Sequence, residues 1–265
     1  MSGQPRVIDR SFPADAFPAV VAHRGASSTH PENTLPAFEA ALALGAPVVE
    51  LDVRLTADGH AVVMHDADVS RTTDGKGFVH ELTLEQVRRL EAGTSEHPAP
   101  VPLLSEVLDL VSGRGGVAIE IKNLPGDPGY EPGGESSVAA ALAEVERVGF
   151  EGPVLVVSFN PRSIAAAREA AAGVATGLLT TDAISPDDGL AFVAGQGHDF
   201  LLPGSRGLLA TALDVVERAH ASGVRLGTWT VDDPPTFGRL IDGGLDAVAT
   251  NDPAMGLEVV RRRPS

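Results

Sequence analysis

The chain has 265 residues, 20 Lys+Arg against 36 Asp+Glu, a formal net charge of −16 and no cysteine. The acidic balance argues against nucleic acid and anionic membranes, both of which select Lys and Arg. Absence of cysteine removes disulfides, thiolate zinc, iron–sulfur clusters and thiol nucleophiles, leaving Asp, Glu, His or backbone oxygens to hold any metal.

At 43% hydrophobic and 21% charged residues, the chain can bury a full-sized core. No run reaches the roughly 18 apolar residues of a spanning helix. Met1–Phe17 lacks the apolar stretch of a signal peptide. A cytoplasmic protein without stable membrane association is expected.

Runs rich in Val, Ile and Leu read as strands at Ala19–Ala22, Pro47–Val53, Ala61–Met64, Val117–Ile121, Val154–Val157, Val174–Leu179, Phe200–Leu202, Val224–Trp229 and Leu245–Ala249. Amphipathic stretches between them predict helices, among them Leu35–Leu44, Leu103–Val111, Val138–Val148, Ser163–Ala172, Leu209–Ala221 and Pro234–Ile241. Gly45, Gly173, Gly223 and Gly243 follow helical stretches as left-handed C-caps would. Strands alternating with helices imply βαβ units and a parallel sheet.

The third strand does not fit that alternation. Only Arg54 to His60 separate it from the second, too few residues for a parallel crossover. Asp58-Gly59 is a strong two-residue hairpin signal; with it as the turn, Val53 faces Met64 and Asp52 faces His65. The remaining strands then suffice for a (β/α)8 TIM barrel in a single domain spanning 1–265. Residues 66–102 form a small insertion after the second strand and its hairpin. Asp66–Pro102 holds turn signals and a short helix near Leu84–Leu90, and Asn123–Glu135 is dense in Gly and Pro. Both are expected over the C-terminal mouth of the barrel, where loops carry function.

Glu50 and Asp52, two apart on one strand, share a face, while Val49, Leu51 and Val53 take the other. Glu120 and Lys122 repeat the geometry. Carboxylates on an inward face are costly unless compensated, by barrel arginines or, the better account, by a hard divalent cation such as Mg2+ or Ca2+. Lys122 can serve a substrate phosphate or pair with Glu120. His23-Arg24-Gly25 and His65-Asp66 end strands. Two imidazoles beside three carboxylates suit an acid/base pair, and Arg24 offers a planar fork for phosphate. Glu32 can brace Arg24 or a catalytic His, and Asn33 or Thr34 can cap the first helix. Phe159 and Trp229 are either pocket walls or core.

These residues resemble the glycerophosphodiester phosphodiesterase family. The likeness runs through His23-Arg24-Gly25, Pro31-Glu32-Asn33-Thr34, Glu50-Leu51-Asp52-Val53, Thr56 to Gly59 and Val63-Met64-His65-Asp66. It continues through Arg71-Thr72-Thr73-Asp74-Gly75, Glu120-Ile121-Lys122, Ser158-Phe159, Trp229-Thr230-Val231 and Gly244 to Pro253. From Ala167 to Gly223 it is a likeness of pattern only. Leu103 stands where the family usually has Thr, and Asp232 where Asn is common; both are expected to affect packing or pocket shape.

The resemblance implies a TIM-barrel enzyme that uses one divalent cation to cleave a glycerophosphodiester, a small-molecule substrate, into sn-glycerol 3-phosphate and an alcohol. It implies Glu50, Asp52 and Glu120 as metal ligands, His23 and His65 as the acid/base pair, and Arg24 and Lys122 on phosphate. A lysophospholipase D or sphingomyelinase-like phosphodiesterase is the near alternative and would need an apolar cleft. A metal-free glycosidase barrel with paired carboxylates leaves the histidines and Arg24 without a role. A non-catalytic ligand-binding barrel leaves the whole constellation without one.

Overall fold

Strands covered by helices outside and filled by side chains inside are apolar on both faces, and the strands of this chain are buried along nearly their whole length. A computed structural model describes residues 12–13, 16–133, 135–171, 173–210 and 214–263. The strands are β1 (Ala19–His23), β2 (Val48–Leu55), β3 (Ala61–Val63), β4 (Gly116–Ile121), β5 (Val154–Ser158), β6 (Ala175–Thr180), β7 (Phe200–Pro203), β8 (Arg225–Thr228) and β9 (Ala247–Thr250). They pair in the order β1-β9-β8-β7-β6-β5-β4-β2-β3, and a β1–β2 pairing closes the ring. All pairings are parallel except β2–β3. The result is an eight-stranded parallel barrel with β3 as an antiparallel outlier, a (β/α)8 TIM barrel.

The helices are α1 (Leu35–Leu44), α2 (Leu84–Val87), α3 (Leu104–Val111), α4 (Ser136–Arg147), α5 (Pro161–Ala170), α6 (Pro186–Gln196), α7 (Ser205–Ala210), α8 (Val215–Ala221), α9 (Pro234–Asp242) and α10 (Pro253–Arg261). Val49, Leu51 and Val53 pack outward with Phe38 of α1 and Leu104 and Leu108 of α3. A second outer cluster joins Leu201 and Leu226 to Phe237 of α9. Inside the barrel, Ala19, Val48, Ala118, Leu155, Val157 and Phe200 form a separate cluster with Phe12 and Phe17 beside it. Arg225 lies 3.9 Å over the Phe17 ring, a cation–π contact.

The hairpin forms in a different register from the one expected. Val53 opposes Val63, Arg54 opposes Val62 and Leu55 opposes Ala61, so Asp52 lies across from Met64, whose N–H it accepts at 2.9 Å. The connection is a three-residue loop, Ala57-Asp58-Gly59. Thr56 N donates to His60 O at 3.0 Å and Gly59 N to Thr56 O at 2.9 Å. Gly59, at φ 82°, fills the left-handed position that such loops require.

Of the expected helix Leu209–Ala221, the described residues fall at the end of α7 and in α8, and 211–213 lie outside the described residues. Helix α7 starts directly after β7, where Ser205 N is held by Trp229 O at 3.0 Å. Gly45 caps α1 with φ 90°, and Gly173 and Gly223 also have positive φ. Gly243 does not: it continues the right-handed turn after α9, and Gly244 takes φ 86°. Residues 66–102 surround a small apolar cluster of their own, with Met64, Val69, Val79, Val87 and Val101.

Two glycines differ in what a methyl group would meet. Among the described residues a Cβ at Gly59 has nothing within 4 Å, whereas at Gly25, φ 84°, it would lie 2.6 Å from the Ala37 carbonyl carbon. Gly59→Ala is expected to cost about 1–2 kcal/mol, the left-handed penalty alone. Gly25→Ala is expected to cost more, because backbone must move. Denaturant titration of both variants checks the ranking.

Candidate active site

Barrel register assembles the charged residues. His23 at the end of β1 is level with Glu50, and Asp52 on β2 is level with Glu120 on β4. Side chains two apart on a strand share its face, so Glu50, Asp52, Glu120 and Lys122 converge at the C-terminal end of the barrel. Ligand oxygens of Glu50, Asp52 and Glu120 lie within 4.8 Å of one another. Asp52 is fully buried, and Glu50 and Glu120 are nearly so.

Cations and one amide compensate part of this charge. Lys122 Nζ is 2.5 Å from Glu120 Oε1 and 2.9 Å from Asp52 Oδ1, so the ammonium pairs with carboxylates. Arg24 Nε is 3.2 Å from Asp52 Oδ2, and its backbone N–H donates to Glu50 Oε2 at 3.0 Å. Arg24 holds φ 58° to do so. Asn33, one of the two residues expected to cap α1, also has φ 58° and donates from Nδ2 to Asp52 Oδ2 at 2.7 Å. The cap is Thr34, which accepts from Ala37 N at 3.4 Å.

Protonation follows these partners. Burial opposes ionisation of Asp52, but Lys122 and Arg24 hold its carboxyl well below the usual range. Burial, joined by the Asp52 charge, pushes Glu50 up to about 8. Burial also pushes Glu120 up to about 8, against the opposing charge of Lys122. Among the described residues, Glu50 Oε1 is buried without a hydrogen-bond partner. An orphaned carboxylate oxygen beside two other carboxylates, with all-oxygen donors, fits a hard divalent cation.

The two imidazoles stand on opposite supports. His23 Nδ1 is 2.8 Å from Asn251 Oδ1, and its Nε2 is 4.0 Å from Glu50 Oε2. His65 Nδ1 is 2.6 Å from Asp66 Oδ1. Burial lowers the pKa of both rings, with Arg24 adding for His23 and Lys122 for His65. Asp66 also pairs with Arg71, which chelates Glu32 with Nη1 at 3.0 Å and Nη2 at 2.7 Å. Glu32 accepts from Arg24 Nη1 at 2.9 Å. A chain of alternating charges thus runs from His65 to Arg24.

His23, Arg24, Glu50, His65, Glu120 and Lys122 line one cleft of about 830 Å3, open mouth included. Phe159 and Trp229 line it too, ring centroids 5.3 Å apart in an edge-to-face contact. Trp229 Nε1 donates to Leu202 O at 2.9 Å. Deeper in, the walls are Ala, Val, Leu and Phe side chains.

A model of the glycerophosphoryl diester phosphodiesterase family matches residues 23–255. The chain belongs to that family. A glycerophosphodiester phosphodiesterase of Caldanaerobacter subterraneus subsp. tengcongensis is 38% identical, over 92% of this chain and 98% of that protein. One from Bacillus altitudinis is 34% identical, over 91% and 97%. Among solved structures, a phosphodiesterase of Oleispira antarctica in complex with the product sn-glycerol-3-phosphate superposes with a TM-score of 0.82. It shares 27% identity and covers 93% of this chain and 98% of its own.

Within the stretches that carry the family likeness, the structure brings to the site side chains that sequence reasoning gave no site role. Arg71, Asn251 and the amide of Asn33 hold the charged groups in place. Asn251 carried a usable signal, since it directly follows β9 at the barrel end where functional groups gather. Arg71 carried only its place in a shared motif.

Asp66 shows a pH signature. Although burial opposes it, its bonds to Arg71 and His65 bring its pKa down to about 2, below the roughly 3.9 of an unfolded chain. Its stabilising contribution is full above the unfolded value and is lost as pH falls toward 2. Between pH 4.5 and 2.5, the melting temperature of Asp66→Asn should fall less than that of wild type. Equal slopes would show that Asp66 carries no such linkage.

Proposed function

We propose that this protein hydrolyses glycerophosphodiesters to sn-glycerol 3-phosphate and an alcohol, using one divalent cation and two histidines. The observation that carries the reading is the meeting of three buried carboxylates and two imidazoles at one cleft in a chain of this family. The product named for the Oleispira antarctica relative supports the same substrate class. Glu50, Asp52 and Glu120 would hold the cation, Mg2+ or Ca2+. When bound, it supplies positive charge to a phosphodiester oxygen and lowers the cost of charge developing in the transition state.

The chain's own residues account for the rest. Arg24, kept in place by Glu32 and Asp52, presents guanidinium charge toward the phosphate. Lys122, paired with Glu120, adds a second positive charge beside the cluster. One imidazole takes the proton from the attacking hydroxyl, either water or the glycerol 2-hydroxyl; on the second route the product is a cyclic phosphate that water then opens to glycerol 3-phosphate. The other returns a proton to the departing alkoxide as the P–O bond breaks. Phe159 and Trp229 form an apolar wall for the carbon skeleton. In this reading the protein is one barrel domain, and residues 66–102 and 123–135 shape selection of the alcohol.

A second reading, lysophospholipase D-like cleavage, draws support from the apolar depth of the cleft. Release of glycerol 3-phosphate from glycerophosphocholine, compared with lysophosphatidic acid from lysophosphatidylcholine, separates the two. We expect the first to dominate. EDTA should abolish turnover, and Mg2+ or Ca2+ should restore it. His23→Ala and His65→Ala should each lower kcat by about 10²–10⁴-fold with melting temperatures near wild type. Near-normal turnover of both variants would defeat the acid/base assignment.

A further inference from the structure

Beyond the cleft, the hydrogen bonds behind His23 form a directed chain. Asp232 Oδ1 accepts from Asn251 N at 2.8 Å and from Thr250 Oγ1 at 3.0 Å. The Thr250 hydroxyl itself accepts from Asp252 N at 3.1 Å, so its single proton points at Asp232. Asp232 Oδ2 accepts from Asn251 Nδ2 at 2.7 Å. A carboxylate only accepts, so the amide of Asn251 must turn its NH2 to Asp232. Its oxygen is then left for His23, and Asn251 Oδ1 sits 2.8 Å from His23 Nδ1. Only a protonated Nδ1 can make that bond. The lone pair is left on Nε2, the nitrogen 4.0 Å from Glu50 in the cleft.

Ser27 Oγ also touches Asn251 Oδ1, at 2.9 Å, and His23 O, at 2.8 Å. Ser27 has one proton for these two acceptors, so facing the amide oxygen it donates to Asn251 Oδ1, and facing an amide NH2 it would accept and donate to His23 O instead. Asp232, which can only accept, fixes the orientation.

We propose that Asp232 is a positioning residue that sets the tautomer of His23 through the side chain of Asn251. The proposal concerns an exposed carboxylate outside the cleft, where Asn is common in the family and an effect on packing or pocket shape was expected; by the same geometry Asn there keeps Nδ1–H only opposite an acceptor at 251, so the role belongs to the Asp232–Asn251 pair of this chain. Its kinetic consequence rests on the role of His23 in the proposed function; its tautomeric consequence does not.

Asp232→Asn makes the discriminating variant. Its oxygen stays with Thr250 Oγ1 and Asn251 N, which both donate, so its NH2 replaces Oδ2. Asn251 must then flip, turning its own NH2 toward His23 Nδ1 and forcing the proton to Nε2. The double variant Asp232→Asn, Asn251→Asp restores an acceptor opposite Nδ1, because the new carboxylate accepts from both neighbours.

The test is 15N NMR of the histidine ring nitrogens in the full chain, at a pH where His23 is neutral. Hydrolysis of glycerophosphocholine with added Mg2+ is measured in parallel. We expect Nδ1–H in wild type, Nε2–H in Asp232→Asn and Nδ1–H again in the double variant. In Asp232→Asn, kcat should fall about 10²–10⁴-fold, as when a general acid or base is lost, with KM little changed; the double variant should recover turnover. Persistence of Nδ1–H in Asp232→Asn, or no return of it in the double variant, overturns the proposal. An inverted tautomer with undiminished kcat upholds the linkage and refutes the acid/base role of His23.

Discussion

Three carboxylates on the inner face of adjacent strands are the constraint on which this site is built. Glu50, Asp52 and Glu120 are buried at the top of the barrel, where removing charge from water costs several kcal/mol per ion. Like charges within 4.8 Å add repulsion. Paired, in-register strands β2 and β4 place Asp52 and Glu120 side by side, so distance cannot relieve it.

Compensation shapes everything nearby. Arg24 adopts a left-handed backbone that aims its N–H at Glu50 and its guanidinium at Asp52. Gly25 follows against the Ala37 backbone, with no room for a Cβ. Asn33 takes the same unusual backbone region and donates to Asp52. Lys122 pairs with both Asp52 and Glu120. Among the described residues Glu50 Oε1 has no hydrogen-bond partner, and a cation would satisfy it. A net charge of −16 repels an anionic diester at long range, so attraction has to come from these local cations.

The sequence exposed the architecture more fully than the support network. All nine strands were legible because a βαβ barrel writes short apolar runs separated by amphipathic ones. Helix α6 was not, since two glycines and two aspartates weaken its pattern; its start signal was Ser185 before Pro186, the cap and first helical residue. The hairpin register slipped by one because Asp-Gly serves two-residue turns and the left-handed position of longer loops alike. The convergence of Glu50, Asp52 and Glu120 was legible from strand alternation, and the placement of His23 and His65 from the ends of strands. The pairing of Lys122 with Glu120 was one of two open readings, and the structure displays that pairing. Asn33, Arg71 and Asn251 act through contacts between distant segments, which spacing along one element does not reveal.

Calorimetric titration of Mg2+ and of Ca2+ into the chelator-stripped protein tests the central claim most directly, with Glu50→Gln and Glu120→Gln beside wild type. If the carboxylate triad is a cation site, wild type binds one ion per chain and each variant binds at least about tenfold more weakly while its fold persists. Equal binding by wild type and both variants, or no binding by wild type, would contradict it.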